Sequence, residues 1–265
     1  MDNRGMPVVA LLTDFGTSDY FVAAMKGRIL SIAPSAQIVD ITHDVPPQDV
    51  RAAAFILRSC YRDFPADTVF VCVVDPGVGS ARRALAVEFD GRKFVAPDNG
   101  LLTFILKRGG AAIRHLNNTE LFAPSISSTF HGRDVFAPAA AHLALGVAIE
   151  DAGPAVDGPA LLAEPEPSIS DDGRVIGQVI HIDRFGNLVT NLLPALLTDG
   201  SELRVSGRTI SRFVDHYAEA DPLEVIGITG SAGLIEISSN MGSAADLLGA
   251  RVGDEVVLTG GKVAE

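Results

Sequence analysis

VVALLTDFGTSDYFVAAMKGRILSIAP, from Val8 to Pro34, carries the pattern that decides the fold reading. Val8 to Thr13 is a short apolar run with no polar alternation, as expected of a strand buried on both faces. Asp19 is placed to cap a helix in which Phe21, Met25, Ile29 and Ile32 recur at helical spacing until Pro34 stops it. The same step repeats downstream. Gln37 to Ile41 reads as a strand, and a helix starts near Asp49 with Val50, Ala54, Leu57 and Tyr61 on one face. Thr68 to Val74 then reads as another buried strand. Alternating strands and helices of this kind predict an α/β domain, a Rossmann-like, largely parallel sheet flanked by helices.

Within that domain one pair departs from the parallel rule. Ala84 to Phe89 and Lys93 to Ala96 are joined by Asp90 and Gly91, a dipeptide suited to the positive φ angles of a tight hairpin, so this pair is expected to be antiparallel. A short helix after Asn99, a β run around Ile113 and an Ala-rich helix from Asp134 to Leu145 complete the half. From Gly153 to Pro167 prolines interrupt every period, which places a boundary there and gives domains 1–165 and 166–265. Beyond it lie short β segments: Gly173 to Asp183, Leu188 to Thr190, Leu203 to Val205, Ile226 to Thr229, Leu234 to Ser238 and Val256 to Leu258. Gly and Asp separate them, which predicts a smaller β-barrel or sandwich.

The 265 residues are 47% hydrophobic and 20% charged, a globular composition, and the formal net charge is −12. Such a charge repels a phosphate backbone, so nucleic acid is not an expected partner. No apolar run approaches the roughly 20 residues that cross a bilayer, and Pro7 to Leu12 is not followed by a cleavage site, so neither a membrane nor secretion is expected. Cys60 and Cys72 are too few for a disulfide framework or a four-cysteine zinc site, and a reducing cytoplasm fits them.

Several motifs carry chemistry. TDFG, Thr13 to Gly16, sets Asp14 at the carboxyl end of the first strand, where open α/β sheets bind ligands; Asp14 either holds ribose hydroxyls or closes its own turn. DPGVGSARR, Asp75 to Arg83, imitates the start of a dinucleotide fingerprint, but Arg82 takes the place of the third glycine and a strand follows instead of a helix. What remains is a loop with a potential base, Asp75, and a fixed cation, Arg82, or else a solvated surface turn. TFHGRD, Thr129 to Asp134, makes His131 the best catalytic candidate among the six histidines. The others, at 43, 115, 142, 181 and 216, show no metal-ligand spacing and read as structural. A GxSxG elbow and a Walker loop are both missing. DRFGN, Asp183 to Asn187, offers an aromatic face beside an amide able to read a purine edge, although a turn closed by Gly186 accounts for the same residues.

Together TDFG, DPGVGSARR, PDNGLL (Pro97 to Leu102), TFHGRD and DRFGN, in this order, resemble the S-adenosyl-L-methionine hydrolases, also called S-adenosyl-L-methionine hydroxide adenosyltransferases, relatives of the fluorinase and chlorinase. The likeness runs from about Leu11 to Leu248. It implies hydrolysis of S-adenosyl-L-methionine to adenosine and L-methionine by water attacking the ribose C5′ carbon, with no cofactor or metal. It also implies a homotrimer with the ligand between the N-terminal domain of one chain and the C-terminal domain of its neighbour. Carried over residue by residue, Asp75, Arg82 and His131 handle the water, Asp14 holds the ribose hydroxyls and Asp19 faces the methionine ammonium. Thr129 and Phe130 join the substrate site beside His131. Phe185 and Asn187 of DRFGN, with Asp183, and Ser231, Glu236, Asn240 and Met241 of GSAGLIEISSNMG are implied to form the adenine side. The halogenases resemble this chain less at Asp75, His131 and Gly132, where they carry Tyr, Tyr and Ser, so water is implied over halide. Gln48 stands where they carry an aromatic. The remaining readings are a halide-using adenosyl transferase and a noncatalytic module that binds adenosine or S-adenosyl-L-methionine.

Overall fold

The computed structural model of the chain describes residues 6–262, which divide into two compact units, one ending at Leu162 and the other starting at Ala163. In the first unit the elements run β1 (Val8–Thr13), α1 (Phe21–Ile32), β2 (Gln37–Thr42), α2 (Val50–Cys60), β3 (Val69–Val73), β4 (Ala84–Phe89), β5 (Arg92–Pro97), α3 (Thr103–Leu106), β6 (Ala112–His115) and α4 (Ala137–Ala144). The strands form one sheet in the order β2-β1-β3-β5-β4-β6.

Strand β1 explains the layering. Its alternate residues point to opposite faces. Val9 and Leu11 pack into a core with Met25 and Ile29 of α1 and the alanines of α4, whereas Ala10 and Leu12 pack with Ala53 and Leu57 of α2 and Phe104 and Ile105 of α3. The sheet is thus covered on both sides, which is why VVALLT needs no polar residue until its end. Each buried leucine contributes about 2 kcal/mol by area.

The sheet is mixed, and the expectation of a largely parallel Rossmann-like sheet is corrected. β2 with β1, β1 with β3 and β3 with β5 are parallel, but β4 runs antiparallel to both β5 and β6. A two-residue turn can join only antiparallel neighbours, so the Asp90–Gly91 hairpin reverses β4. Both turn residues have the positive φ expected, 53° and 68°. A second correction concerns α1. Its cap is Tyr20, with no side-chain hydrogen bond, and Asp19 is exposed. Ring packing of Phe21 on Phe130, with centroids 5.1 Å apart, holds the first turn instead. Asp49 does cap α2, its Oδ1 accepting from the Ala52 N–H at 2.9 Å.

In the second unit β7 (Ser168–Ile169), β8 (Val175–Ile182), β9 (Leu188–Thr190), β10 (Glu202–Val205), β11 (Arg208–Ile210), β12 (Phe213–Val214), β13 (Val225–Thr229), β14 (Ile235–Ser239), α5 (Ala244–Leu248) and β15 (Glu255–Thr259) follow one another. The order is β11-β10-β15-β8-β9-β14-β13-β12, with β7 on β8. Strand β11 also lies against β13, so the sheet curls toward a barrel around Val179, Leu203, Ile237 and Val256. Strands β7, β11 and β12 have no counterpart in the sequence reading. Two or three residues are too few to show a period.

Candidate active site

In the first unit the carboxyl ends of β1 and β3 carry Asp14 and Asp75 into one cavity of about 400 Å³, lined also by Phe15, Phe21, Pro47, Gln48, Pro76 and Val78. That size falls within the usual span of small-molecule sites. Asp14 Oδ2 accepts from the Gln48 backbone N–H at 2.8 Å, and Gln48 is held at φ 67° to present it. Gln48 thus contributes its backbone, whatever its side chain does.

Behind Asp75 stands Arg82. Its Nε donates to Asp75 Oδ1 at 2.9 Å and its Nη2 to Oδ2, a two-pronged pair with both side chains largely buried (4% of Asp75 and 11% of Arg82 exposed). The same Nη2 lies 2.9 Å from His131 Nδ1. The three residues that the motifs single out therefore touch in series: Asp75, Arg82, His131. Because guanidinium only donates, His131 Nδ1 must accept, which puts the proton of the neutral ring on Nε2. Burial, then the charge of Arg82, lowers the His131 pKa below its ordinary value, against smaller upward pulls from Asp75 and Asp134.

The loop that brings them together is fastened at several points. Asn99 Nδ2 donates to the Val74 carbonyl at 2.8 Å, and Arg83 Nε donates to Asp98 Oδ2 at 2.7 Å, so PDNGLL clamps both ends of DPGVGSARR. At Gly79, with φ 77°, a Cβ would sit 2.4 Å from the Ser128 carbonyl oxygen. Only glycine lets this loop approach the segment leading to His131. After His131 the chain makes a π-helical turn, Gly132–Phe136, which sets the Phe136 ring 5.4 Å from the Arg82 guanidinium.

The other predicted residues fall unevenly. Phe130 is buried and packs on Phe15 and Phe21, and Thr129 is exposed beside it. Phe15, Phe21, Pro47, Pro76 and Val78 line the cavity without having been singled out. Phe15 lies inside TDFG and was within reach, but Pro47 and Val78 bear no chemical mark.

In the second unit Asp183 serves its own loop. Its Oδ1 accepts from the N–H groups of Phe185 and Asn187, each at 2.9 Å, and its Oδ2 from Asn187 Nδ2 at 2.8 Å. Gly186 closes that turn at φ 82°, where a Cβ would strike Ser243 Oγ at 2.1 Å. Glu236 is buried against Gly230, and burial, then the charge of Asp183, raises its pKa. The Tyr217 phenol feels the charges of both carboxylates, after the larger effect of burial. Phe185 (76% exposed) and Met241 (84% exposed) project outward. Asn240 turns elsewhere, its Nδ2 donating to the Ala220 carbonyl at 2.6 Å, and Ser231 is exposed. Among the described residues no three His, Cys, Asp or Glu side chains group as metal ligands would, and no helix is long and apolar enough to cross a membrane.

Comparison with known proteins gives a consistent result. The model of the SAM hydroxide adenosyltransferase N-terminal domain matches residues 9–153, and that of the SAM hydroxide adenosyltransferase C-terminal domain matches residues 177–257. The chain is 42% identical over 259 residues to the (R)-S-adenosyl-L-methionine hydrolase of Salinispora arenicola, covering 96% of this chain and 98% of that one. It is 33% identical over 219 residues to the fluorinase of an Actinoplanes species, covering 72% and 74%. An uncharacterized conserved protein from Thermotoga maritima superposes with a TM-score of 0.88 at 38% identity, covering 94% of this chain and 99% of that one.

Proposed function

The chain belongs to the SAM hydroxide adenosyltransferase family, and from that premise we propose that it hydrolyses S-adenosyl-L-methionine to adenosine and L-methionine. The observation that carries the chemistry is Asp75, which lines the same cavity as Asp14 while Arg82 grips it from behind. Asp14 receives the ribose hydroxyls. Water attacks C5′, an O–C bond forms as the C–S bond breaks, and the electron pair goes to sulfur, which leaves as a neutral thioether. Since the leaving atom loses charge, no acid is needed to protonate it.

The nucleophile is the demanding part, because a carboxylate is too weak a base to hold free hydroxide. Both Asp75 oxygens are engaged by Arg82, yet each keeps a second lone pair. Asp75 accepts the water proton late in the displacement, Arg82 spreads the negative charge, and His131, with Nδ1 already taken, fixes the guanidinium and only donates from Nε2. On the family likeness, the adenine meets the Phe185 and Asn187 loop of a neighbouring copy of the chain, and Asp19 the methionine ammonium.

Chromatography of pure protein mixed with S-adenosyl-L-methionine should yield adenosine and methionine in equal amounts, undiminished by a chelator and with no 5′-halogenated nucleoside when chloride or fluoride is supplied. Binding without product would make the chain a nucleoside-binding module. Loss on chelation would overturn the metal-free scheme. The exposed, apolar Phe185, Leu223 and Met241 support an assembly that covers them, which the family likeness makes a homotrimer. Sedimentation should then give three times 27.8 kDa, and a monomer at micromolar concentration would exclude it. The unpaired thiols of Cys60 and Cys72 support a reducing, cytoplasmic setting.

A further inference from the structure

The end of β1 is tied to the end of β2 by a polar relay that the displacement chemistry does not use. Thr13 is wholly buried, and its Oγ1 lies 2.8 Å from Nδ1 of His43, itself buried. On the far side of the ring, His43 Nε2 lies 3.1 Å from Asp40 Oδ1. The line is too bent for a good hydrogen bond, but the carboxylate is near enough to favour the ring proton on Nε2. Lys26 Nζ donates to the other Asp40 oxygen at 2.6 Å. Burial, the largest influence, raises the Asp40 pKa, but the Lys26 ammonium and the facing edge of the His43 ring bring it below its ordinary value, so Asp40 is a carboxylate that can only accept.

The direction of the relay follows. With the proton on Nε2, His43 Nδ1 is an acceptor, so the Thr13 hydroxyl donates to it and turns a lone pair toward the Phe15 N–H, 3.3 Å away. His43 also accepts the Gly16 N–H on its own carbonyl at 2.8 Å. Asp14 therefore lies between anchored neighbours, with Thr13 before it and Phe15 and Gly16 after it. Its Oδ2 is fixed by Gln48, at the far end of the loop that His43 opens. A valine in place of Thr13 would satisfy the same buried strand without any of these bonds.

We propose that Thr13 and His43 are positioning residues that hold the Asp14 carboxylate for the ribose hydroxyls. This rests on the reading of Asp14 given above, and the test separates the two. The affinities of the full-length protein for adenosine and for 2′,3′-dideoxyadenosine are measured by calorimetry, and their ratio is compared among variants. The wild type should favour adenosine by about tenfold to a hundredfold, the usual worth of a hydrogen bond to a charged group. Asp14→Ala should bring the ratio near one. Thr13→Val, and His43→Gln, which can still reach Asp40 but offers no acceptor at the place of Nδ1, should bring it to about threefold or less. Thr13→Ser should restore it. A merely structural role would weaken both nucleosides alike and leave the ratio unchanged. That result in Thr13→Val and His43→Gln, with the ratio lost in Asp14→Ala, overturns the relay alone. An unchanged ratio in Asp14→Ala overturns the ribose reading and the relay with it. Should Thr13→Val fail to fold, His43→Gln decides.

Discussion

Replacing Asp75 by Ala is expected to lower turnover of S-adenosyl-L-methionine by about 10²- to 10⁴-fold, the usual worth of a positioned proton acceptor, while the affinity for adenosine shifts by less than about threefold. The split follows from geometry. Asp75 faces the cavity but spends both oxygens on Arg82, so it has little to give a bound nucleoside and much to give a water that is losing its proton. Equal losses in rate and in adenosine affinity would make Asp75 a binding residue. His131 supplies the companion measurement. Its pKa lies below the ordinary value near 6.5, so at neutral pH the ring is neutral and can accept from Arg82. Protonation removes that acceptor and sets two cations side by side. The rate should therefore be flat above about pH 6.5 and fall on the acid side of it. His131→Ala should lower the plateau and abolish the acid limb; an unchanged limb would assign it to another group.

How much of this was legible in the sequence depends on the distance over which each feature is decided. Strand β1 was legible because burial on both faces leaves an unbroken apolar run, and the β4–β5 hairpin because Asp90 and Gly91 state their own backbone angles. The same turn announces that β4 runs antiparallel to β5, but that β6 pairs antiparallel on the other side of β4 is a long-range choice that no local period records. The π-helical turn after His131 was equally hidden. The segment reads as the start of an Ala-rich helix, and the close packing of Gly132 against Met25, Phe15 and Phe130, where a Cβ would come within 3.2 to 3.3 Å, is set largely by residues distant in the chain. Residue type marked Asp75, Arg82 and His131 as candidates, but not that Arg82 stands between the other two. The order of contact matters chemically, because it denies His131 the role of base that its type suggests. By sequence His43 reads as structural, and nothing in the spacing of ITH links it to the hydroxyl that precedes Asp14.

Arg82→Met should cost about 3 kcal/mol of stability, the toll of leaving one member of a buried ion pair without its partner. Methionine keeps most of the side-chain volume and the packing on Phe136, so the loss falls on the charge and its hydrogen bonds. The double variant Asp75→Asn, Arg82→Met should recover much of that loss, because the uncompensated charge has gone as well. Urea unfolding of the wild type, both single variants and the double variant closes a cycle whose coupling should exceed about 1 kcal/mol. Additive losses would mean that water reaches the pair and that the fork is worth no more than a surface contact. Arg82→Lys sharpens the point. A single ammonium can neutralise Asp75, but it cannot meet both carboxylate oxygens and His131 Nδ1 from one planar group. It should therefore regain most of the stability and little of the turnover. That separation of charge from geometry is what a site built to aim one water molecule requires, and a lysine variant with near-normal turnover would argue that the charge alone suffices.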